Sequence, residues 1–276
     1  MSAAVAITVA PNGARRGKGD HAAIPLSVDE IVAAARACRT AGAAILHLHV
    51  READGGHSLD AGRYREAMAA VRAACDIVLQ PTTERVGVFA PADMMRVQRE
   101  LAPEMITFNL QELLDPDTPQ QTAAVRDFLA ETAAAGTVPQ YIVYSPEQLA
   151  VLRRWWEDGW LPQREPYVLV VLGRYAGSVS RPGDILNYLP FMPAGWRWGV
   201  CAFGREELAC VVQAALAGGH CRVGFENNLS AADGAPLADN AEQVGRLAGI
   251  LGQLGFTVAD PAAVRRTFGL SGGGSS

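Results

Sequence analysis

The sequence predicts an α/β protein folded as a closed parallel (β/α)8 barrel, the TIM-barrel architecture. Three observations carry this expectation. Eight short runs rich in Val, Ile and Leu recur from one end of the 276 residues to the other. Amphipathic stretches with helical spacing fall between most of them. Polar residues recur at the C-terminal ends of the runs, where a barrel collects its chemistry. Near-continuous apolar strands suit a parallel sheet covered by helices, and eight strand–helix units in about 250 residues match the size of such a barrel. An open doubly wound sheet fits less well, because no GxGxxG turn follows the first run.

In chain order, the strand candidates are 5–10 (VAITVA), 44–50 (AILHLHV), 77–82 (IVLQPT), 105–110 (MITFNL), 139–144 (PQYIVY), 167–173 (YVLVVLG), 198–203 (WGVCAF) and 221–226 (CRVGFE). Helical spacing occupies 28–40, 62–74, 92–101, 122–135, 146–158, 206–217 and 240–254. Two helix starts are written explicitly. Ser27 precedes an acidic first turn with Asp29 and Glu30, and Ser145 is followed by Pro146 and Glu147. No Pro/Gly/Ser-rich linker divides residues 1–270, which therefore read as one barrel domain. Residues 271–276 are Gly and Ser only and read as a disordered tail.

Composition narrows the function. Formal net charge is −5 and no long Lys/Arg run exists, so neither nucleic acid nor an anionic membrane is an expected partner. The apolar stretches are strand-sized, too short to span a bilayer. The N-terminus lacks a basic segment leading into an apolar signal core, so a cytoplasmic location is expected. Cys38, Cys75, Cys201, Cys210 and Cys221 are odd in number and form no CxxC, so they read as reduced core residues.

The string His-Leu-His-Val-Arg at 47–51 is the sharpest chemical signal. Alternate strand residues share a face, so His47 and His49 point together and can grip one metal ion. In the last run Arg222 and Glu226 alternate about Gly224 and both look inward. They are either a structural ion pair or part of a site. Barrel closure brings the eighth strand near the first two, where Glu226 can complete a His47, His49, Glu226 set. Three ligands with an open position describe a catalytic zinc site, although nickel, cobalt, manganese or iron also accept two imidazoles and a carboxylate. With Arg222 to hold a carboxylate by a two-pronged contact, the substrate expected is a keto acid or an enolate former.

Other polar strand ends would converge on the same mouth: Asn12 and Arg15, Thr82, Thr83 and Glu84, Asn109, Gln140 and Tyr144, and Asn227. Thr82, Thr83 and Asn109 serve equally well as helix caps. His57 and His220 read as non-ligands, His21 as a possible substrate contact, and the tryptophans as packing or subunit-interface residues.

The strings Gly42-Ala43 running into HLHVRE, GGHCRVGFENN at 218–228, Asn240-Ala241, and Asp260-Pro261 with Arg265 and Phe268-Gly269-Leu270 occur in an order and spacing that resembles the β-keto acid cleavage enzymes. The resemblance runs from Ile7 to about Leu270. It implies a zinc-dependent homo-oligomeric barrel, a tetramer, that condenses a β-keto acid with acetyl-CoA to give acetoacetate and a new CoA thioester. It implies that His47, His49 and Glu226 bind the metal and that Arg222 holds the substrate carboxylate or the developing charge. It places the Thr82 hydroxyl where the familiar pattern has Ser.

Three positions depart from that pattern. Asn227 stands for Asp, Gln140 for Glu, and Thr82-Thr83-Glu84-Arg85 for Ser/Thr-Gly-Gly. Glu84 can restore one of the two lost carboxylates from a neighbouring loop. Arg15 stands where the pattern carries an acidic residue, and favours an anionic or neutral substrate tail. The basic loop around it could instead meet CoA phosphates. Two rivals follow: a metal-dependent lyase or aldolase-like enzyme that does not use CoA, and a metal- and keto-acid-binding protein with reduced turnover.

Overall fold

A computed structural model describes residues 4–175 and 179–270; the tail assigned to 271–276 lies outside the described residues. Eight parallel strands form one sheet in the order β5-β2-β1-β10-β9-β8-β7-β6. These are β1 (Ile7–Val9), β2 (Ile45–Leu48), β5 (Val78–Pro81), β6 (Met105–Asn109), β7 (Val138–Val143), β8 (Tyr167–Leu172), β9 (Arg197–Ala202) and β10 (His220–Val223). The ring is nearly closed. No backbone ladder joins β5 to β6; instead the Thr83 hydroxyl donates to the Thr107 carbonyl at 2.8 Å across that seam.

The expected helices are present as α1 (Val28–Ala41), α2 (Ala61–Ala74), α3 (Pro91–Leu101), α5 (Pro119–Ala134), α6 (Pro146–Glu157), α7 (Glu207–Leu216) and α8 (Asn240–Gln253). Ser27 and Glu30 form a reciprocal capping box on α1. Ser145 caps α6 and Pro146 opens it. Strand alternation divides the core in two. Val168, Val170 and Leu172 face the helices, whereas Leu169 and Val171 face the barrel interior with Cys201 and Phe203.

Several elements differ from the sequence expectation. The run 44–50 stops at Leu48, and β3 (Val50–Arg51) pairs antiparallel with β4 (His57–Ser58) as a hairpin over the mouth. The run 221–226 stops at Val223, because the chain turns at Gly224 with φ 142°, where an added Cβ would lie 2.2 Å from the Ala10 carbonyl oxygen. Glu226 therefore reaches the interior from a turn, not from a strand. Two short helices were not anticipated. The first, α4 (Leu110–Leu113), follows β6 directly. The second, α9 (Pro261–Phe268), starts at Asp260 and Pro261 and plugs the N-terminal end of the barrel. Val264 and Phe268 pack there on Ile45, Val78, Met105 and Tyr167. Each such burial is worth about 1.5–3 kcal/mol, which outweighs the poor intrinsic stability of an eight-residue helix. Between β8 and β9 the described chain forms 3-10 turns at Pro182–Asn187 and Leu189–Phe191.

Candidate active site

A narrow cavity of about 380 Å3 opens at the C-terminal end of the strands. His47 enters it from β2, Thr82 and Glu84 from the segment after β5, Arg222 from β10, and Glu226 and Asn227 from the turn after β10. His49 follows His47 by two residues, and their Nε2 atoms lie 3.2 Å apart. Glu226 Oε2 is 3.2 Å from His49 Nε2 and 3.8 Å from His47 Nε2. Two backbone devices put Glu226 there. Its N–H donates to the Ala10 carbonyl at 3.1 Å. Gly13, at φ +60°, leaves the space in which a Cβ would strike Glu226 Cγ at 2.4 Å.

These three side chains fit a divalent metal. One donor atom from each of His47, His49 and Glu226 falls within 4.8 Å of the others, and all three residues are buried. His47 Nδ1 meets Gln80 Oε1 at 3.1 Å. An amide oxygen can only accept, so Nδ1 carries the proton and the Nε2 lone pair faces its two neighbours. Glu226 Oε2 is buried without a hydrogen-bond donor. Two imidazole nitrogens and one carboxylate oxygen are a donor set that divalent transition metals accept with a coordination position left open.

The charges reinforce one another. The Arg222 guanidinium bonds Glu226 Oε1, and both groups are buried. Burial alone would raise the Glu226 carboxyl, but Arg222, then His49 and His47, outweigh it and hold the group well below the usual carboxylate range. Burial lowers the Arg222 proton affinity, yet Glu226 more than offsets this and keeps it charged. Burial, then the Arg222 charge, pushes His47 well below the usual imidazole value, so the ring stays neutral. Burial raises the Glu84 carboxyl, with Glu226 acting in the same direction and His49 and Arg15 opposing.

The remaining sequence candidates divide. Thr82 lines the cavity, and its hydroxyl oxygen accepts from Glu84 N–H at 3.1 Å. Asn227 lines it with Oδ1 buried and unpartnered. Arg15 lies exposed at the rim, 3.6 Å from Glu84 and over the Tyr175 ring at 5.5 Å. Gln140 stands mid-strand, away from the cavity lining, where its Oε1 accepts from Gln80 Nε2 at 3.2 Å. A Gln at this depth supports His47 through Gln80. Thr83 closes the seam, and Asn109 caps α4 through bonds to Gln111 N–H and Glu112 N–H. Arg51 points away from the histidines and ties the β3–β4 hairpin to the first loop through Gly55, Gly13 and Arg16 carbonyls. His21 packs on Phe225, His57 contacts the Glu84 carbonyl, and His220 accepts from Ala6 N–H at the far end.

Sequence reasoning passed over four contributors. Gln80 interrupts the apolar run that opens at Ile77, a readable signal. Tyr175 and Phe203 wall the cavity, and nothing local distinguishes them. Glu207, fully buried on α7, accepts from Asn228 and Gln243 side chains and so pins the turn that carries Glu226.

A family model described as beta-keto acid cleavage enzyme matches residues 4–270. This chain belongs to the β-keto acid cleavage enzyme family. Among its relatives, the 3-keto-5-aminohexanoate cleavage enzyme of Fusobacterium nucleatum is 31% identical, covering 96% of this chain and 97% of that one. The 3-dehydrocarnitine:acetyl-CoA trimethylamine transferase of Rhizobium meliloti is 27% identical and covers 98% of both. Among solved structures, apo ObcA superposes with a TM-score of 0.70 at 17% identity, over 90% of this chain and 65% of that longer one. That likeness concerns the barrel alone. No helix among the described residues is long and apolar enough to cross a membrane.

Proposed function

We propose that this family member transfers the acyl part of a β-keto acid to CoA in a metal-dependent reaction with acetyl-CoA, releasing acetoacetate. In the net reaction the C2–C3 bond of the keto acid breaks, its carboxymethyl carbon bonds the acetyl group, and the remaining acyl group leaves as the CoA thioester. The observation that carries this reading is the His47, His49, Glu226 set beside Arg222 on one cavity. His47, His49 and Glu226 would hold the metal, read as zinc, which when bound polarises the keto oxygen and stabilises enolate charge. Arg222 would orient the substrate carboxylate, because a guanidinium matches a carboxylate in two-pronged fashion. Thr82 can donate its hydroxyl proton to a developing oxyanion. Glu84, its carboxyl raised by burial, is suited to carrying a proton between substrate carbon and solvent. Asn227 offers an amide where the family pattern has a carboxylate, so it can bond the substrate without taking its proton.

The reading extends to a cytoplasmic homotetramer, to be checked by light scattering. The functional test is a panel of freshly prepared β-keto acids incubated with acetyl-CoA and assayed for acetoacetate. CoA-dependent acetoacetate supports the reading. Cleavage without CoA would replace it with the lyase, and metal and keto-acid binding with no turnover would replace it with the binding protein.

A further inference from the structure

A second cavity, of about 900 Å3 and open to solvent, lies beside the first at the ends of β8 and β9. The two share Tyr175, Phe203 and Asn227, so a single molecule can occupy both. Among the described residues, the charged groups of the outer cavity are Arg16, Arg174 and Arg205, and no carboxylate lines it. This is an unusual concentration in a chain of net charge −5. None of the three forms an ion pair among the described residues.

Two of these guanidiniums are positioned without being neutralised. Arg16 donates to the Phe225 carbonyl at 2.7 Å and sits 5.5 Å from the Tyr175 ring centroid. Arg174 donates to the Gly173 and Tyr144 carbonyls at 2.6 and 2.8 Å and covers the Tyr144 ring at 4.5 Å. Arg205 is exposed on the β9–α7 loop, which Gly204 N–H ties to the Asn227 carbonyl. Fixed guanidiniums converging on a solvent-open groove suit phosphate oxygens, and the aromatic Tyr175–Phe203 pair, 4.6 Å apart, forms the sill to the inner site.

We infer that this groove holds the nucleotide end of acetyl-CoA, an inference that rests on the acetyl-CoA-dependent reading above. The phosphates of the 3′-phospho-ADP group lie against Arg16, Arg174 and Arg205. The pantetheine arm crosses the Tyr175–Phe203 sill and brings the thioester to Asn227 and Glu226. The arrangement explains how a narrow inner cavity serves so large a co-substrate: only the thioester enters it.

The test compares acetyl-CoA with acetyl-pantetheine, which carries the same thioester and no nucleotide. In Arg205→Ala and in Arg174→Ala, the ratio of kcat/KM for acetyl-CoA to that for acetyl-pantetheine should fall about tenfold, the loss expected for one charge-assisted phosphate contact. Raising the salt should lower the same ratio in the wild type, because exposed charge pairs are screened. An unchanged ratio overturns the inference. Calorimetric titration with CoA itself separates this inference from the functional reading. If no keto acid is turned over but CoA binds and Arg205→Ala weakens it, the groove stands and the reaction falls. If ADP binds as tightly as CoA and acetyl-CoA does not compete, the groove belongs to a free nucleotide and the inference fails.

Discussion

The two arcs of the barrel mouth share one strand geometry and carry opposite chemistry. From β10 through β1 and β2 to β5, the inward positions present Arg222, His47, Gln80 and Thr82, with Glu226 beside them. From β7 through β8 to β9, the same height presents Ile142, Tyr144, Val171, Cys201 and Phe203. The polar arc is held by bonds that continue below the site: His47 to Gln80, and Gln80 to Gln140. The side chains of the apolar arc meet by packing, and its strand ends are tied from outside by Arg174 on the Tyr144 carbonyl and by the Ser180 hydroxyl on the Phe203 backbone. The difference shows what each arc does for the other. An apolar wall excludes water and lowers the local dielectric, which strengthens the Arg222–Glu226 pair opposite it. A substrate bridging the arcs would put its keto acid head on the polar side and its tail on the apolar side.

Breaking the polar arc should have the largest effect. His49→Ala should reduce bound metal from about one ion per chain to a small fraction and lower kcat/KM about a thousandfold or more, measured by elemental analysis beside the acetoacetate assay. Full metal retention would refute the ligand set. Arg222→Lys comes next. An ammonium cannot reproduce the guanidinium fork, so transition-state stabilisation should drop by about 2–4 kcal/mol. Wild-type kinetics in that variant would leave Arg222 a purely structural partner of Glu226.

Glu84→Gln tests whether the polar arc has found a new proton carrier. With Gln140 below the cavity, Glu84 and Glu226 are the carboxylates lining it among the described residues, and Glu226 is paired with Arg222. Glu84→Gln should lower kcat about 100-fold, and Asn227→Asp should restore little in that background. Rescue by Asn227→Asp would return the proton to the family position.

The apolar arc is tested by the substrate tail. Along a series of β-keto acids, each methylene reaching this wall should raise kcat/KM about fourfold, whereas a charged tail should lose about tenfold by burying an unpaired charge. Val171→Ala should weaken the dependence on tail length. A preference for a dianionic substrate would instead show that Arg15 governs the tail.

The smallest effect marks the boundary between the arcs. Glu112, half-buried after β6, has its carboxyl pushed up to about 7, by burial first and by Glu84 next. Its ordinary value is 4.5, so between pH 4.5 and about 7 the folded state keeps a proton that the unfolded chain releases. Stability should fall as pH rises through that window, and Glu112→Gln should flatten the fall in urea unfolding. Identical profiles for wild type and variant would show that Glu112 is solvated.

Legibility followed the range of the interactions involved. Alternation within a strand is local, so the paired direction of His47 and His49 could be read from spacing. The same rule misjudged how Glu226 arrives. The close approach of Gly224 to Ala10 ends β10 early, and that contact joins residues 214 positions apart. Capping chemistry is also local and named α1 and α6 correctly. By position Thr83 and Asn109 read equally as substrate contacts or helix caps; the Thr83 hydroxyl donates across the seam and Asn109 Oδ1 caps α4. Gln140 groups with the polar strand ends by sequence, yet it is the third residue of β7 and enters the barrel one layer below the cavity, at a depth set by the register with β6 and β8.

The sequence alone determined the alternation of eight strands with helices, the directions of His47 and His49, and the polar identity of most groups at the mouth. These depend on periodicity and on side-chain chemistry that neighbours in the chain already specify. Tertiary structure decided which of those groups share a cavity, which were absorbed as caps and ties, and which arc stayed apolar. Those outcomes depend on ring closure and strand stagger. A displacement of one residue in either exchanges an inward group for an outward one, and no single segment of the sequence encodes it.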